Sequence, residues 1–386
     1  MLTWARESAG FDVQVAAKKI QVRPESLEDW ERGQSRPTVK QLRNLARAYK
    51  RPLAAFYLPE PPKEFKPMHD FRRLPGQVAG VQSPDLRYEI RQAHNRRDLA
   101  LDLYQAVEGT PPRFGLTARP SDEPEQVAAA IRRALGIRAE DRVRWRHEYD
   151  AFNHWRNALE EAGVLVFQAT TVEAPEMRGF SILDQPLPAI VVNIKDPPAA
   201  RSFSMAHELC HIMLSEAGLC DLDEEAPRPK EDQRVEVFCN MVAGASLVPR
   251  DVLLEEAAVR GKPGRQEWSD DEIHKLAGRY RVSPEVLLRR LLICGRTTEG
   301  FYQAKRGEWQ EKYLRSAERR EPGFVPPYDM AIYRAGRLFV RLVLASYYQD
   351  TITASDVSDY LEIRLKHLHR IEGAMGGEKL RGGTTS

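Results

Sequence analysis

The pentapeptide His207-Glu208-Leu209-Cys210-His211 constrains this chain more than any other feature. Its surroundings, 198–215, have the apolar spacing of a helix. Residues four apart on a helix share a face, so the two imidazoles point at one spot. Such a pair suits Zn²⁺, whose bonds to imidazole nitrogen are about 2.0–2.1 Å long. Glu208 projects one residue away, placed to take a proton from water activated at a metal without ligating the metal itself.

A catalytic zinc takes a third protein ligand and keeps one position open. The next helical segment, about 232–245, offers Glu236, 25 residues after His211. A helix, a loop and a returning helix would deliver that carboxylate across the histidine pair. Asp221, Asp223, Glu224 and Glu225 on the acidic loop 218–231 are alternatives, although they read first as solvated charges. Cys239 shares a helix face with Glu236, and a thiolate can bind zinc, but an ordinary buried cysteine is the simpler reading. Cys210 is turned away from the histidine face and reads as core. Two histidines and a glutamate suit Zn²⁺ and Mn²⁺ alike.

With 386 residues, two or three domains are expected. A charged fraction of 30% beside a hydrophobic fraction of 42% reads as soluble and globular. The net charge of +2 gives no general affinity for polyanions, so any nucleic-acid role must come from local patches. No apolar run approaches the ~20 residues that span a bilayer, and residues 1–19 lack the apolar core of an export signal. Four cysteines without CxxC spacing fit reduced thiols in a cytoplasmic setting.

Periodicity places four or five short helices in 1–58, with 13–20, 24–32 and 38–50 the clearest. Further helices are expected at 84–108, 122–135 (starting near Ser121), 147–162, 249–260, 269–280, 283–293, 328–350 and 354–372. Strands are expected at 164–168, 178–183 and 188–194. The last of these is well placed to be a cleft edge on which an extended substrate adds as a further strand. Asn193 either anchors that substrate or ends the strand.

The segments FSMAHELCHIML (203–214), the PAIVVN strand before it and VEVFCNMVAGASLVP (235–249) together resemble the ImmA/IrrE family of metallopeptidases. RPLAAFYLPEPP (51–62), DFRRLP (70–75) and LAGRYRVSPEVLLRRL (276–291) extend the resemblance to members carrying an N-terminal Xre-type helix-turn-helix domain. Ser204 stands where the family often has Thr, a conservative departure. The resemblance implies a mostly helical α+β fold with a gluzincin-type, zincin-like core. In it a small antiparallel sheet packs on the helix bearing the motif. It also implies His207, His211 and Glu236 as metal ligands and Glu208 as catalytic base. The domains expected are 1–62, helix-turn-helix; 63–83, linker; 84–255, metallopeptidase; 256–300, a second helix-turn-helix-like segment; and 301–386, a helical region with a flexible tail.

Family members are implicated in stress responses and mobile-element control through cleavage of a partner repressor, so a zinc endopeptidase acting on such a protein is the leading expectation. The alternative is a DNA-binding transcriptional regulator whose metal site is structural or sensory. A third reading, an interaction protein that has lost turnover, leaves Glu208 without a reason. Oligomeric state and oxyanion stabiliser are not legible.

The first helix-turn-helix carries an acidic second helix, with a net charge of −3 over 24–32 from four carboxylates and Arg32. That opposes contact with DNA. Residues 1–60 nonetheless sum to +4, from 11 basic and 7 acidic side chains. Lys40, Arg43 and Arg47, with Lys50 and Arg51, are the candidates to grip phosphate. In the second passage, 270–292, Arg279, Arg281, Arg289 and Arg290 give a positive tint, but a helical support for the peptidase is the simpler reading.

Overall fold

The computed structural model describes residues 1–61, 83–215, 229–317 and 326–376. DFRRLP, nearly all of the 63–83 linker, the four acidic-loop carboxylates, Cys220 and the glycine-rich tail lie outside the described residues. Two compact units are present, one of Met1–Asn95 with Thr171–Met177 and one of Arg96–Thr170 with Arg178–Ser386.

The first unit opens with α1 (Leu2–Ser8), α2 (Val13–Ile20), α3 (Pro24–Glu31), α4 (Val39–Ala48) and a 3₁₀ turn at Leu53–Tyr57. The Asp12 carboxylate caps α2 by accepting from the Val15 N–H at 2.7 Å, and Gln21 ends it in the left-handed region. Thr38 and Gln41 form a capping box on α4. Ala5, Ala16, Leu27, Leu45 and Tyr49 bury against one another to make the core. Helix α5 (Pro84–Val107) begins in this unit.

In the second unit, α6 (Pro124–Ala134) and α7 (Glu148–Glu161) precede β1 (Leu165–Ala169), β2 (Gly179–Ile182) and β3 (Ala189–Asn193). Helix α6 is capped by Glu123, which accepts from the Gln126 N–H, two residues later than the expected start at Ser121. The sheet order is β1-β3-β2, with β1 parallel and β2 antiparallel to β3. The sheet is therefore mixed, where a wholly antiparallel one was expected. The expected cleft edge at 188–194 is also corrected, because β3 has a neighbour on each side and no edge to offer. Every residue of the three strands is buried, which explains their continuous apolar runs.

Helix α8 (Pro198–Ser215) crosses this sheet, and α9 (Pro229–Leu247) packs against α8. Gln168 on β1 and Gly179 on β2 flank Val192 of β3 in one row, about 9.6 Å from end to end. Arg201 of α8 bonds Gln168, and Glu208 bonds Ser181 of β2. Seven helical residues span about 10.5 Å, so α8 runs across the strands from β1 to β2.

Then come α10 (Arg250–Glu255), α11 (Ala257–Arg260), α12 (Asp270–Tyr280), α13 (Pro284–Ile293), α14 (Glu299–Ala317), α15 (Pro327–Ala335), α16 (Arg337–Tyr348), α17 (Ala354–Leu361) and α18 (Leu368–Met375). The expected single helix over 328–350 is two, broken at Gly336, whose φ is +85°. A Cβ there would collide with Glu160 Oε1 and lie 2.9 Å from the Val166 carbonyl, so only glycine fits. Glu160 Oε2 accepts from the Leu338 N–H at 3.0 Å, and Arg156 Nε lies 3.2 Å from Glu160 Oε1. This buried pair ties the start of α16 to α7. Glu160→Ala strands a buried guanidinium and an amide, and should lower the unfolding free energy by about 3–5 kcal/mol in chemical denaturation. A loss below about 1 kcal/mol, typical of a surface pair, would contradict that role.

Candidate metal centre

Helices α8 and α9 bring His207, His211 and Glu236 together, with all their ligand atoms within 4.8 Å of one another. His207 Nε2 and His211 Nε2 are 3.1 Å apart. Glu236 Oε1 lies 3.1 Å from His211 Nε2, and Oε2 lies 3.4 Å from His207 Nε2. Ligands on a tetrahedral ion with bonds of about 2.0–2.1 Å are separated by about 3.3 Å, so the donor set fits a cation without rearrangement. Glu236 Oε1 is buried without a hydrogen-bond partner, which leaves a lone pair directed into the cluster. Burial alone would raise the Glu236 carboxyl, but the His207 and His211 imidazoles beside it outweigh burial and hold the group at about 2. The carboxylate is therefore ionised across the neutral range, as a ligand must be.

His207 is fully buried, and its Nδ1 lies 3.1 Å from Asn240 Oδ1. An amide oxygen only accepts, so Nδ1 carries the proton and donates it, leaving the Nε2 lone pair for a metal. Sequence reasoning missed Asn240, although the signal was present. It sits one turn beyond Glu236 on the same face of α9.

Glu208 is 5% exposed and turns toward β2, where Ser181 Oγ donates to its Oε2 at 3.1 Å. A Cβ on Gly179 would press on the Val191 carbonyl at 3.0 Å and meet Glu208 Oε1 only at ordinary contact, 3.4 Å, so the β3 backbone is what favours glycine there. Neither Ser181 nor Gly179 had a signal in the sequence, since their relation to Glu208 exists only once α8 lies on β2. Cys210 and Cys239 are both fully buried. Burial, together with the neighbouring Cys210, pushes the Cys239 thiol well up, which keeps it protonated and a poor ligand.

Asn193 is buried at the end of β3, where its Oδ1 accepts from the Lys195 N–H at 2.9 Å. That local bond serves the turn leaving the strand. Arg279 bonds Glu256, Arg281 donates to the Trp145 carbonyl at 3.0 Å, and Arg290 donates to the Val248 carbonyl at 2.9 Å. Three of the four arginines in the second helix-turn-helix-like passage are thus spent inside the molecule, as a support would use them.

In the first unit, Lys40, Arg43 and Arg47 are exposed on α4. Their spacing puts them on one face. The acidity of α3 is less forbidding than its charge sum. Arg6, which lies outside that sum, holds Glu31 at 2.8 and 2.9 Å.

Residues 159–292 match the family described as the IrrE N-terminal-like domain, a peptidase family, and residues 2–56 match the family described as helix-turn-helix. The chain thus carries a match to each family, and the region 159–292 contains all three clustered donors. Among curated proteins, none matches the chain. No helix among the described residues is long and apolar enough to cross a membrane.

Removing the Asn240 acceptor should leave one ion per chain but weaken its binding. Competition with a chromogenic chelator should find zinc affinity about 10–100-fold lower in Asn240→Ala. Unchanged affinity would mean that the amide does not orient His207.

Proposed function

We propose that this protein is a metal-dependent endopeptidase that acts on another protein, and that a DNA-binding repressor is the partner its fused helix-turn-helix domain favours. The observation that carries this reading is the convergence of His207, His211 and Glu236, with the Glu208 carboxylate on the intervening helical step. When bound, a divalent cation supplies Lewis acidity toward water and a peptide carbonyl.

The chain's own groups do the rest. Glu208 takes a proton from the attacking water and returns it to the departing amine. The Ser181 hydroxyl holds one oxygen of that carboxylate. Asn240 keeps His207 in the tautomer that ligates.

An extended substrate suits β2, which ends the sheet among the described residues. The Asn193 N–H donates to the Arg178 carbonyl, and the register continues that pairing at Phe180 and Ile182. Backbone groups of Gly179 and Ser181 then point away from β3, beside the Glu208 carboxylate. In this reading the metal is zinc, held by His207, His211 and Glu236, and the protein meets its repressor in the cytoplasm.

Glu208→Gln should retain its metal and lose cleavage of a candidate repressor by about 10²–10⁴-fold, followed as fragment release by mass spectrometry. Cutting at the parental rate would overturn the mechanism.

A second reading, DNA binding by the first unit, is favoured by the pairing of Glu31 with Arg6 and by the exposed cations Lys40, Arg43 and Arg47 on α4. Mobility shift on duplex DNA should then weaken steeply as salt rises, and Arg43→Ala with Arg47→Ala should lower the slope of log K against log salt by about 2. Absence of any shift at low salt would remove this reading.

A further inference from the structure

A concavity of about 710 Å³ in the first unit is lined by Arg43, Arg47, Lys50, Arg51, Tyr88 and Thr171, with apolar Ala46, Pro52 and Leu53 between them. Four lining side chains are cationic, and none of those described is a carboxylate. Arg43 and Arg47 are exposed and form no ion pair among the described residues. Lys50 is shared between Asp85 and the face of Tyr88, 4.5 Å from the ring centroid. Arg51 stacks 4.4 Å from the Trp4 ring centroid and donates to Ser8 Oγ at 2.9 Å, so its guanidinium is held in place. A pocket of this volume matches a small molecule, and its composition joins fixed cations to an aromatic ring.

We infer that this concavity binds a small phosphate-bearing ligand of nucleotide size. Arg43 and Arg47 meet the phosphate oxygens, and Lys50 is released from Asp85 to join them. Thr171 adds a consequence. Its N–H and hydroxyl both donate to Glu89 Oε1, at 3.0 and 2.9 Å, and Glu176 Oε1 accepts from the Ser83 N–H at 2.9 Å. The connection between β1 and β2 is thereby held by the first unit, and Met177 passes directly into Arg178 and the strand that carries Gly179 and Ser181. Occupation of the concavity therefore changes the amide protection of β2. Any effect on cleavage rests on the function proposed above; the binding does not.

The test titrates the full-length protein calorimetrically with pyrophosphate, ATP and an arbitrary 20-base-pair duplex, then follows hydrogen–deuterium exchange. Pyrophosphate or ATP should bind with Kd below about 1 mM. Arg43→Ala combined with Arg47→Ala should weaken that binding at least about tenfold, whereas Lys366→Ala, at an exposed cation of the second unit, should leave it unchanged. Exchange should slow at 171–177 and alter at 179–182. Binding by the duplex alone would make nucleic-acid backbone the source of phosphate and overturn the small-molecule assignment. Failure of all three probes, or binding that survives the double substitution, would overturn the site. Binding with unaltered exchange at 179–182 would overturn the link to β2. Both arginines are exposed, so circular dichroism of the double variant should match the parent.

Discussion

Two imidazole nitrogens 3.1 Å apart, with a carboxylate oxygen 3.1 Å from one of them, form a cluster that a protein must be built to hold. Each donor is partly or wholly removed from water, and a buried polar group costs free energy unless something satisfies it. Packing of α8 against α9 supplies the constraint, because His207, His211 and Glu236 cannot meet unless those helices lie side by side at a fixed register. The Asn240 amide then selects the tautomer, and the ionised Glu236 offsets the charge that a cation brings.

The sheet serves this arrangement from beneath. Because α8 crosses from β1 to β2, its early residues anchor on one strand and the turn bearing Glu208 lies over the other. Arg201 is buried against Gln168, and burial lowers its affinity for a proton, the main cost of an anchoring guanidinium placed there. At the far strand, Ser181 provides a hydrogen bond that holds Glu208 against β2. The Arg156–Glu160 pair and Gly336 tie the later helices to the same core from behind β1.

Much of this was legible in the sequence, and the failures have physical causes. Helix α8 was read with its full range because apolar spacing, Pro198 and the histidine pair agree. Glu236 was found because it follows on the next helix, and Asn240 was overlooked although the same periodicity marks it. Helix α14 was missed because it has little amphipathic pattern and contains Gly300 and Gly307. The break at Gly336 was hidden by the apolar residues on both sides, since only the tertiary contact with Glu160 demands that glycine. Strand order is a long-range property, so β3 was taken for an edge when β2 is one. The charge of α3 is likewise altered by a partner distant in sequence. A sum over a helix does not reveal that Arg6 approaches from another helix to neutralise Glu31.

X-ray absorption at the zinc edge of the zinc-loaded protein reads out whether the three side chains close on one divalent cation. The account predicts one ion per chain with two imidazole nitrogens at about 2.0–2.1 Å and a carboxylate oxygen at about 2.0–2.2 Å, without sulfur in the first coordination sphere. A sulfur scatterer at about 2.3 Å, or zinc bound only substoichiometrically, would contradict it.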